Sequence, residues 1–151
     1  MNINKWVKIY YDLIENLKIK GRPFGPYNSL VINKYYINEQ IENCVWKYSR
    51  HHLAEIEISG AKLKNLPGYQ SGDAIIVDLI EHCLLHYLIV MAKTTSPNHG
   101  MVLMFKKTEN PIATWEYYIK EGCKKFNITF DENWRQNLTI PTFWDNLGDD
   151  L

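Results

Sequence analysis

Residues 73–86 read DAIIVDLIEHCLLH, and this stretch decides the fold because a strand signal runs directly into a helix start. Residues 74–77 form an apolar run rich in β-branched side chains, which is typical of a buried strand. Asp78 then stands where a helix N-cap is expected, and Glu81 follows three residues later, in the pattern of a capping box. The sequence therefore predicts a strand that leads without a loop into a helix over about residues 79–93.

The predicted helix carries a histidine pair on one stripe. Most of its residues are apolar, whereas His82 and His86 are one turn apart and so lie on the same side. A second pair, His51-His52, lies about 30 residues upstream. Four of the five histidines therefore fall in two pairs. Such an arrangement could close around one metal ion and leave one imidazole free as a base.

The segments before this unit combine helical and strand signals. Apolar residues spaced by three and four predict an amphipathic helix over about residues 3–19, and glycines and prolines at 21–26 predict a loop. Residues 37–46 have the spacing of a second, shorter helix, although the β-prone residues 44–48 equally favour a strand that delivers the histidine pair. Apolar and polar residues alternate over 53–58, which is a strand pattern.

The C-terminal third is predicted to be mostly helical. Residues 101–107 fit a strand or a helical turn, and residues 112–126 fit a helix with one apolar face. The tail carries Trp134, Phe143 and Trp144, which are expected to pack back on the core. Together with the segments upstream, these elements predict an α+β fold.

Length and composition predict a single domain over residues 1–151, with an N-terminal helical segment (1–46), a central unit (47–93) and a C-terminal segment (94–151). Seventeen basic and seventeen acidic side chains cancel, so any nucleic acid must be met by a local basic patch. Three widely spaced cysteines without a CxxC favour neither a disulfide framework nor a zinc knuckle and fit a reducing, cytoplasmic compartment. No signal peptide and no apolar run of ~18 residues is found, so no membrane partner is expected.

The histidine pairs and their spacing resemble a known motif. Arg50-His51-His52-Leu53, followed by Asp73-x8-His82-x3-His86, is similar to the ββα-metal motif of HNH endonucleases, in particular to the small HNH proteins of phages and mobile elements. The resemblance covers about residues 47–93. It implies a ββα-metal finger with a small two-stranded antiparallel sheet, embedded in flanking α-helices.

The resemblance also implies a role for each residue of the motif. His51, His82 and His86 bind one divalent metal ion, and His52 is the general base that activates a water. Arg50, next to the pair, is either a phosphate clamp through its guanidinium group or a solvated charge on the strand. The implied activity is metal-dependent hydrolysis of DNA. Three imidazoles favour Zn²⁺ or Ni²⁺, whereas an added carboxylate would favour Mg²⁺ or Mn²⁺. The oligomeric state stays open, a homodimer included.

Two features depart from the family pattern. Asp73 stands where relatives prefer Asn, and an ionised Asp can only accept hydrogen bonds. It either bonds loop amides, acts as a metal ligand, or is an ordinary turn residue. The second departure is Leu53-Ala54-Glu55, where relatives often have an Ile and a Pro that lead to a glycine-rich loop. Glu55 or Glu57 near a phosphate site would also repel the substrate. These departures and the zero net charge favour an alternative, a catalytically inactive HNH-like module that binds nucleic acid or protein and keeps a structural metal site.

Overall fold

The computed structural model describes residues 4–140 as a mixed α+β fold with five α-helices and two small antiparallel sheets. The helices are α1 (Lys5–Ile19), α2 (Gly60–Leu63), α3 (Leu79–Ala92), α4 (Gly100–Met104) and α5 (Pro111–Phe126). The strands are β1 (Phe24–Pro26), β2 (Gln40–Glu42), β3 (Val45–Trp46), β4 (Tyr48–His52) and β5 (Asp73–Asp78). Within the described range, no helix has the length and apolar character needed to cross a bilayer.

The junction between β5 and α3 confirms the predicted strand-to-helix unit. The side chain of Asp78 accepts a hydrogen bond from the backbone N–H of Glu81 at 2.8 Å, and the side chain of Glu81 accepts one from the N–H of Asp78 at 2.9 Å. Arg22 adds ion pairs at 3.1 Å to Asp78 and 2.9 Å to Glu81. Because the capping box satisfies donors that the first helical turn leaves free, the strand can pass into the helix without a loop.

The main sheet has three strands in the order β1-β5-β4, with both neighbours antiparallel to β5. The prediction of a two-stranded sheet is therefore wrong, because the sheet has a third strand. The additional strand, β1, comes from the glycine- and proline-rich segment predicted as a loop. It pairs along the free edge of β5, where Pro26 lies opposite Asp73. Proline lacks the N–H of a ladder bond and is tolerated at such an edge, so a loop signal and a short edge strand are compatible.

The structure decides between helix and strand for the two segments that flank His51 and His52. Residues 37–46 form no helix, and β2 and β3 instead make a short hairpin in which Cys44 has a φ of +61°. The strand alternative for residues 44–48 is confirmed by β3 and the start of β4. Residues 53–58 are not extended, because Leu53–Ile56 forms a 3-10 turn. Alternation over six residues is too short to separate a strand from a tight turn.

Helices α1 and α5 both pack against α3, whose residues are all buried except Ile80. The side chain of Asn4 caps α1 and donates to the carbonyl oxygen of Ala92 at 2.8 Å, which ties the start of α1 to the end of α3. Helix α5 approaches α3 closely at Gly122. A Cβ atom placed there would lie 3.1 Å from the Cβ of Leu84. The helices predicted for residues 3–19 and 112–126 are thus confirmed.

The C-terminal segment is mostly helical as far as residue 140. Residues 100–104 form α4, so the helical alternative for 101–107 is confirmed. Trp134 is fully buried and its indole N–H donates to Glu116 at 2.7 Å, as expected for a tail that packs back on the core. Phe143 and Trp144 lie outside the described residues.

Candidate metal centre

Three buried histidines meet between strand β4 and helix α3. His51 lies on β4, and His82 and His86 lie one turn apart on α3. One nitrogen atom of each residue lies within 4.8 Å of the corresponding atoms of the other two. Strand β5 explains the meeting, because it pairs with β4 and continues directly into α3. The structure thus brings together the three residues predicted as ligands, and this group could hold a metal ion.

Tyr10 on α1 determines which nitrogen of His51 faces the group. The Tyr10 hydroxyl lies 2.8 Å from His51 Nε2 and donates to the carbonyl oxygen of Leu53 at 3.0 Å. Because a hydroxyl has one proton and a carbonyl can only accept, His51 Nε2 donates to the Tyr10 oxygen. His51 Nδ1 is then left with a lone pair, which is the form that a metal ligand requires.

The environment of His51 Nδ1 fits a bound cation. This atom is buried and has no hydrogen-bond partner among residues 4–140. Oε2 of Glu55 lies 3.3 Å from it, but in a geometry that makes no hydrogen bond. A carboxylate oxygen and an imidazole lone pair repel each other unless a proton or a cation lies between them. A metal ion would satisfy both groups at once.

Burial keeps the three imidazoles neutral. It lowers the pKa of His82 to about 4. It also lowers the pKa of His86 and of His51 well below the usual value, and the neighbouring histidines add to the effect. The Ser49 hydroxyl lies 2.8 Å from His82 Nδ1, so Nε2 is the ring nitrogen that this hydrogen bond does not engage. Neutral imidazole is the form that binds metals, so the group needs no deprotonation near neutral pH.

Glu55 is a residue of this site that the sequence analysis did not identify as a ligand. Its Oε2 lies 3.3 Å from His51 Nδ1 and 3.9 Å from His86 Nε2. Burial raises the pKa of Glu55 to about 7, although a hydrogen bond with the backbone of His52 opposes the rise. The 3-10 turn at Leu53–Ile56 places the carboxylate here. The only sequence signal for Glu55 was its position four residues after His51. This spacing brings two side chains together only in a helical turn, and the sequence analysis did not predict that turn.

His52 lies outside the histidine group and has its own hydrogen bond. Its Nε2 donates to the carbonyl oxygen of Tyr69 at 2.7 Å, so Nδ1 is the nitrogen that can accept a proton. The ring is stacked on Tyr27, with 4.1 Å between the ring centroids. Burial lowers the pKa of His52, with a further contribution from Arg50, while the Tyr69 carbonyl acts in the opposite direction. The side chain is therefore neutral near pH 7 and held in one tautomer.

Arg50 borders the same cavity as His52. Its guanidinium group lies 3.8 Å from the centre of the Tyr27 ring and donates to the Tyr27 carbonyl oxygen at 3.0 Å. The cavity measures about 210 Å³ and is also lined by Lys64, His82 and His86. Two cationic side chains, His52 and two members of the histidine group therefore share one small opening.

Asp73 is not brought into this site. It is the first residue of β5, its side chain is exposed, and it lies opposite Pro26 on the edge strand. It is not a member of the histidine group. Within residues 4–140 its carboxylate makes neither a side-chain hydrogen bond nor an ion pair. The carboxylate beside the histidines belongs to Glu55 instead.

Comparison of the chain with models of known protein families, with curated proteins and with solved structures found no match in any of the three.

Proposed function

We propose that the chain is a metal-dependent endonuclease of the HNH type that hydrolyses phosphodiester bonds in DNA. The observation that carries the proposal is the meeting of His51, His82 and His86 within 4.8 Å, with His52 adjacent in sequence and bordering the same cavity as two of them. Strands β4 and β5 followed by α3 have the strand, strand, helix order of a ββα-metal finger, which supports the family assignment.

The residues suggest a division of labour. A divalent metal bound by the three histidines would polarise the scissile phosphate and stabilise the departing 3′ oxygen. His52 Nδ1 takes the proton of the attacking water, because Nε2 is committed to the Tyr69 carbonyl. This hydrogen bond also stabilises the imidazolium that forms once the proton has been transferred.

Positive charge beside His52 supports a phosphate-containing substrate. The Arg50 guanidinium is fixed by Tyr27 from two sides, through its face and through a hydrogen bond, so little freedom is lost when it binds a phosphate oxygen. Lys64, which follows Glu55 in the sequence, lines the same cavity as Arg50. Such a local patch is what a chain with zero net charge needs in order to bind an anionic polymer.

A second function is favoured by the position of Glu55. Three histidines and the carboxylate beside two of them would form a set of four ligands, and structural metal sites are closed in this way. The alternative is therefore a catalytically inactive HNH-like module that binds nucleic acid or protein and is stabilised by its metal.

Cleavage of supercoiled plasmid separates the two functions. Wild type and His52→Ala are incubated with the plasmid in Mg²⁺, Mn²⁺, Ni²⁺ or Zn²⁺, with a chelator as blank. We expect nicking by the wild type and a loss of at least ~100-fold in rate for His52→Ala, because a positioned general base contributes about this much. Metal binding by His52→Ala should stay at the wild-type level, since His52 is not in the histidine group.

His99→Ala is a matched control for this experiment. His99 and His52 are equally exposed, at 5% each, so both substitutions remove a buried imidazole. Cleavage should survive in His99→Ala, and an equal loss in both variants would assign the effect to destabilisation. Absence of cleavage by the wild type with all four metals, despite metal binding, would exclude the endonuclease and leave the binding module.

A further inference from the structure

We propose that Glu55 is a fourth metal ligand, which closes the metal site until a substrate phosphate displaces it. The inference rests on the metal site proposed above. It adds a ligand that the resemblance to HNH endonucleases does not include.

The distances around Glu55 fit a shared ion. Ligands about 2.1 Å from a tetrahedral ion are roughly 3.4 Å from one another. Oε2 of Glu55 is 3.3 Å from His51 Nδ1 and 3.9 Å from His86 Nε2, so both separations are close to this value. The three histidine nitrogens are at most 4.8 Å apart, and Glu55 lies beside two of them but outside this group. Side-chain rotations that draw the carboxylate towards His82 would complete the set of four.

The backbone leaves room for the carboxylate in this position. Oε1 of Glu55 lies against Gly60 at the start of α2, and a Cβ atom on Gly60 would be only 2.7 Å from it. Only glycine leaves this space free. The side chain of Glu55 is 17% exposed, so its ionised form is stabilised by a positive partner. Lys64 lines the same cavity as Glu55, but the two side chains form no ion pair in the described part of the chain.

A closed site has a defined consequence for substrate binding. Catalytic zinc sites keep one position for water or substrate, whereas four protein ligands leave none. A phosphate oxygen must therefore replace the Glu55 carboxylate before the ion can act on it. Both ligands are anionic oxygens, so the exchange conserves the charge next to the metal.

The test measures metal binding rather than cleavage. The Kd for Zn²⁺ is determined by competition with a chromophoric chelator for wild type, Glu55→Gln and Glu57→Gln. Glu57 is the matched control, because it lies two residues away, is exposed and bonds Tyr11 at 3.2 Å. We expect Glu55→Gln to raise the Kd by at least ~10-fold, the lower end of the effect known even for partners outside the ligand set. Glu57→Gln should leave the Kd unchanged.

Gly60→Ala provides an independent variant that keeps the carboxylate. The added methyl group should push Glu55 away from the ion and raise the Kd. In a Glu55→Gln background the same substitution should cause much less change, because the two effects share one cause. Circular dichroism of the metal-free variants checks that each one folds.

Cobalt provides a spectroscopic readout of the closed site. Adding inorganic phosphate to the Co²⁺ form should change the visible absorption of the wild type only at high concentration, because phosphate must first displace the Glu55 carboxylate. In Glu55→Ala, the same change should occur at a phosphate concentration at least ~10-fold lower, because a position on the ion has been opened.

The outcomes distinguish this inference from the proposed function. If the wild type binds no metal, both the metal site and the fourth ligand are excluded. If the wild type binds metal with a Kd that Glu55→Gln does not alter, only the inference about Glu55 is overturned.

Discussion

The hydroxyl of Tyr10 shows how a side chain on another helix can prepare a candidate ligand. It donates to the Leu53 carbonyl and accepts from His51 Nε2, and so fixes the tautomer in which Nδ1 carries a lone pair. Ser49 is placed to orient His82 in a similar way. At the scale of the residue, two of the three candidate ligands, His51 and His82, therefore have a hydroxyl partner that restrains the ring.

Removing the hydroxyl tests this dependence. Tyr10→Phe leaves the buried His51 N–H without its acceptor and removes the hydrogen bond to the Leu53 carbonyl. We expect the Kd for Zn²⁺ to rise by roughly 10-fold to 100-fold. The free energy of unfolding of the metal-free protein should fall by about 1–3 kcal/mol. Competition titration and urea unfolding measure the two effects.

The neighbouring tyrosine is the control for this substitution. Tyr11 is 41% exposed and its hydroxyl bonds only the exposed Glu57 among the described residues, at 3.2 Å. Tyr11→Phe should change neither quantity appreciably. A Tyr10→Phe variant with wild-type metal affinity would show that the hydroxyl does not orient His51.

At the scale of the element, α3 is the helix on which the others are assembled. It carries two of the three histidines and is packed by both α1 and α5. Its start is held by the capping box and by Arg22, and its end by Asn4. Small shifts of this helix would move His82 and His86 together relative to His51, so its packing determines whether the three nitrogens can meet.

The close contact between α3 and α5 leads to a prediction about stability. Gly122→Ala places a methyl group 3.1 Å from Leu84 Cβ and 3.4 Å from Ile80 Cγ2. Overpacking costs about 1–3 kcal/mol, whereas replacing a helical glycine by alanine gains up to ~1 kcal/mol. Because Leu84 is fully buried and cannot move aside, we expect a net loss of about 1 kcal/mol in urea unfolding.

Gly68→Ala is the comparison for this variant, because nothing lies within 4 Å of a Cβ at that position. It should change the free energy of unfolding by less than ~0.5 kcal/mol. A stabilised Gly122→Ala protein would mean that the two helices separate easily and that helix propensity dominates.

At the scale of the whole molecule, the buried histidines tie stability to pH. Burial lowers the pKa of all five, His51, His52, His82, His86 and His99. An unfolded chain then binds more protons than the folded one between pH ~6.5 and the folded pKa, so the free energy of unfolding rises with pH in this window. Glu55 acts in the opposite sense between pH ~4.3 and about 7, because its folded pKa is raised.

Unfolding at two pH values tests this balance in the metal-free protein. The pKa of His82 in the folded protein is about 4, so His82 alone should lower the free energy of unfolding by roughly 2 kcal/mol between pH 7.5 and pH 5. The opposite effect of Glu55 cancels that of about one histidine, so we expect a net decrease in the free energy of unfolding at pH 5. Urea unfolding in the presence of a chelator measures it, and His82→Gln should reduce the slope. Stability that stays level between these pH values would contradict the neutral, buried state of the histidines.

Much of the fold could be predicted because the signals are local. The β-branched run before Asp78, the capping box with Glu81 and the apolar periodicity of α1 and α5 act within a few residues, and each predicts its element. Strand β1 could not be predicted, since three residues with Pro26 become a strand only by pairing with β5. The turn at Leu53–Ile56 was also missed, because alternation over so short a segment fits either conformation.

The sequence by itself determined the spacing of the four paired histidines and placed two of them one turn apart on a helix, because the i+4 relation depends only on helical geometry. Only the tertiary structure decided which carboxylate lies beside them. Asp73 belongs to the sequence motif but is exposed on β5, whereas the turn after β4 places the Glu55 carboxylate beside His51 and His86. Likewise, the contact of Tyr10 with His51 spans 41 positions. Contacts over such distances depend on how helices and sheet pack, which no local pattern encodes.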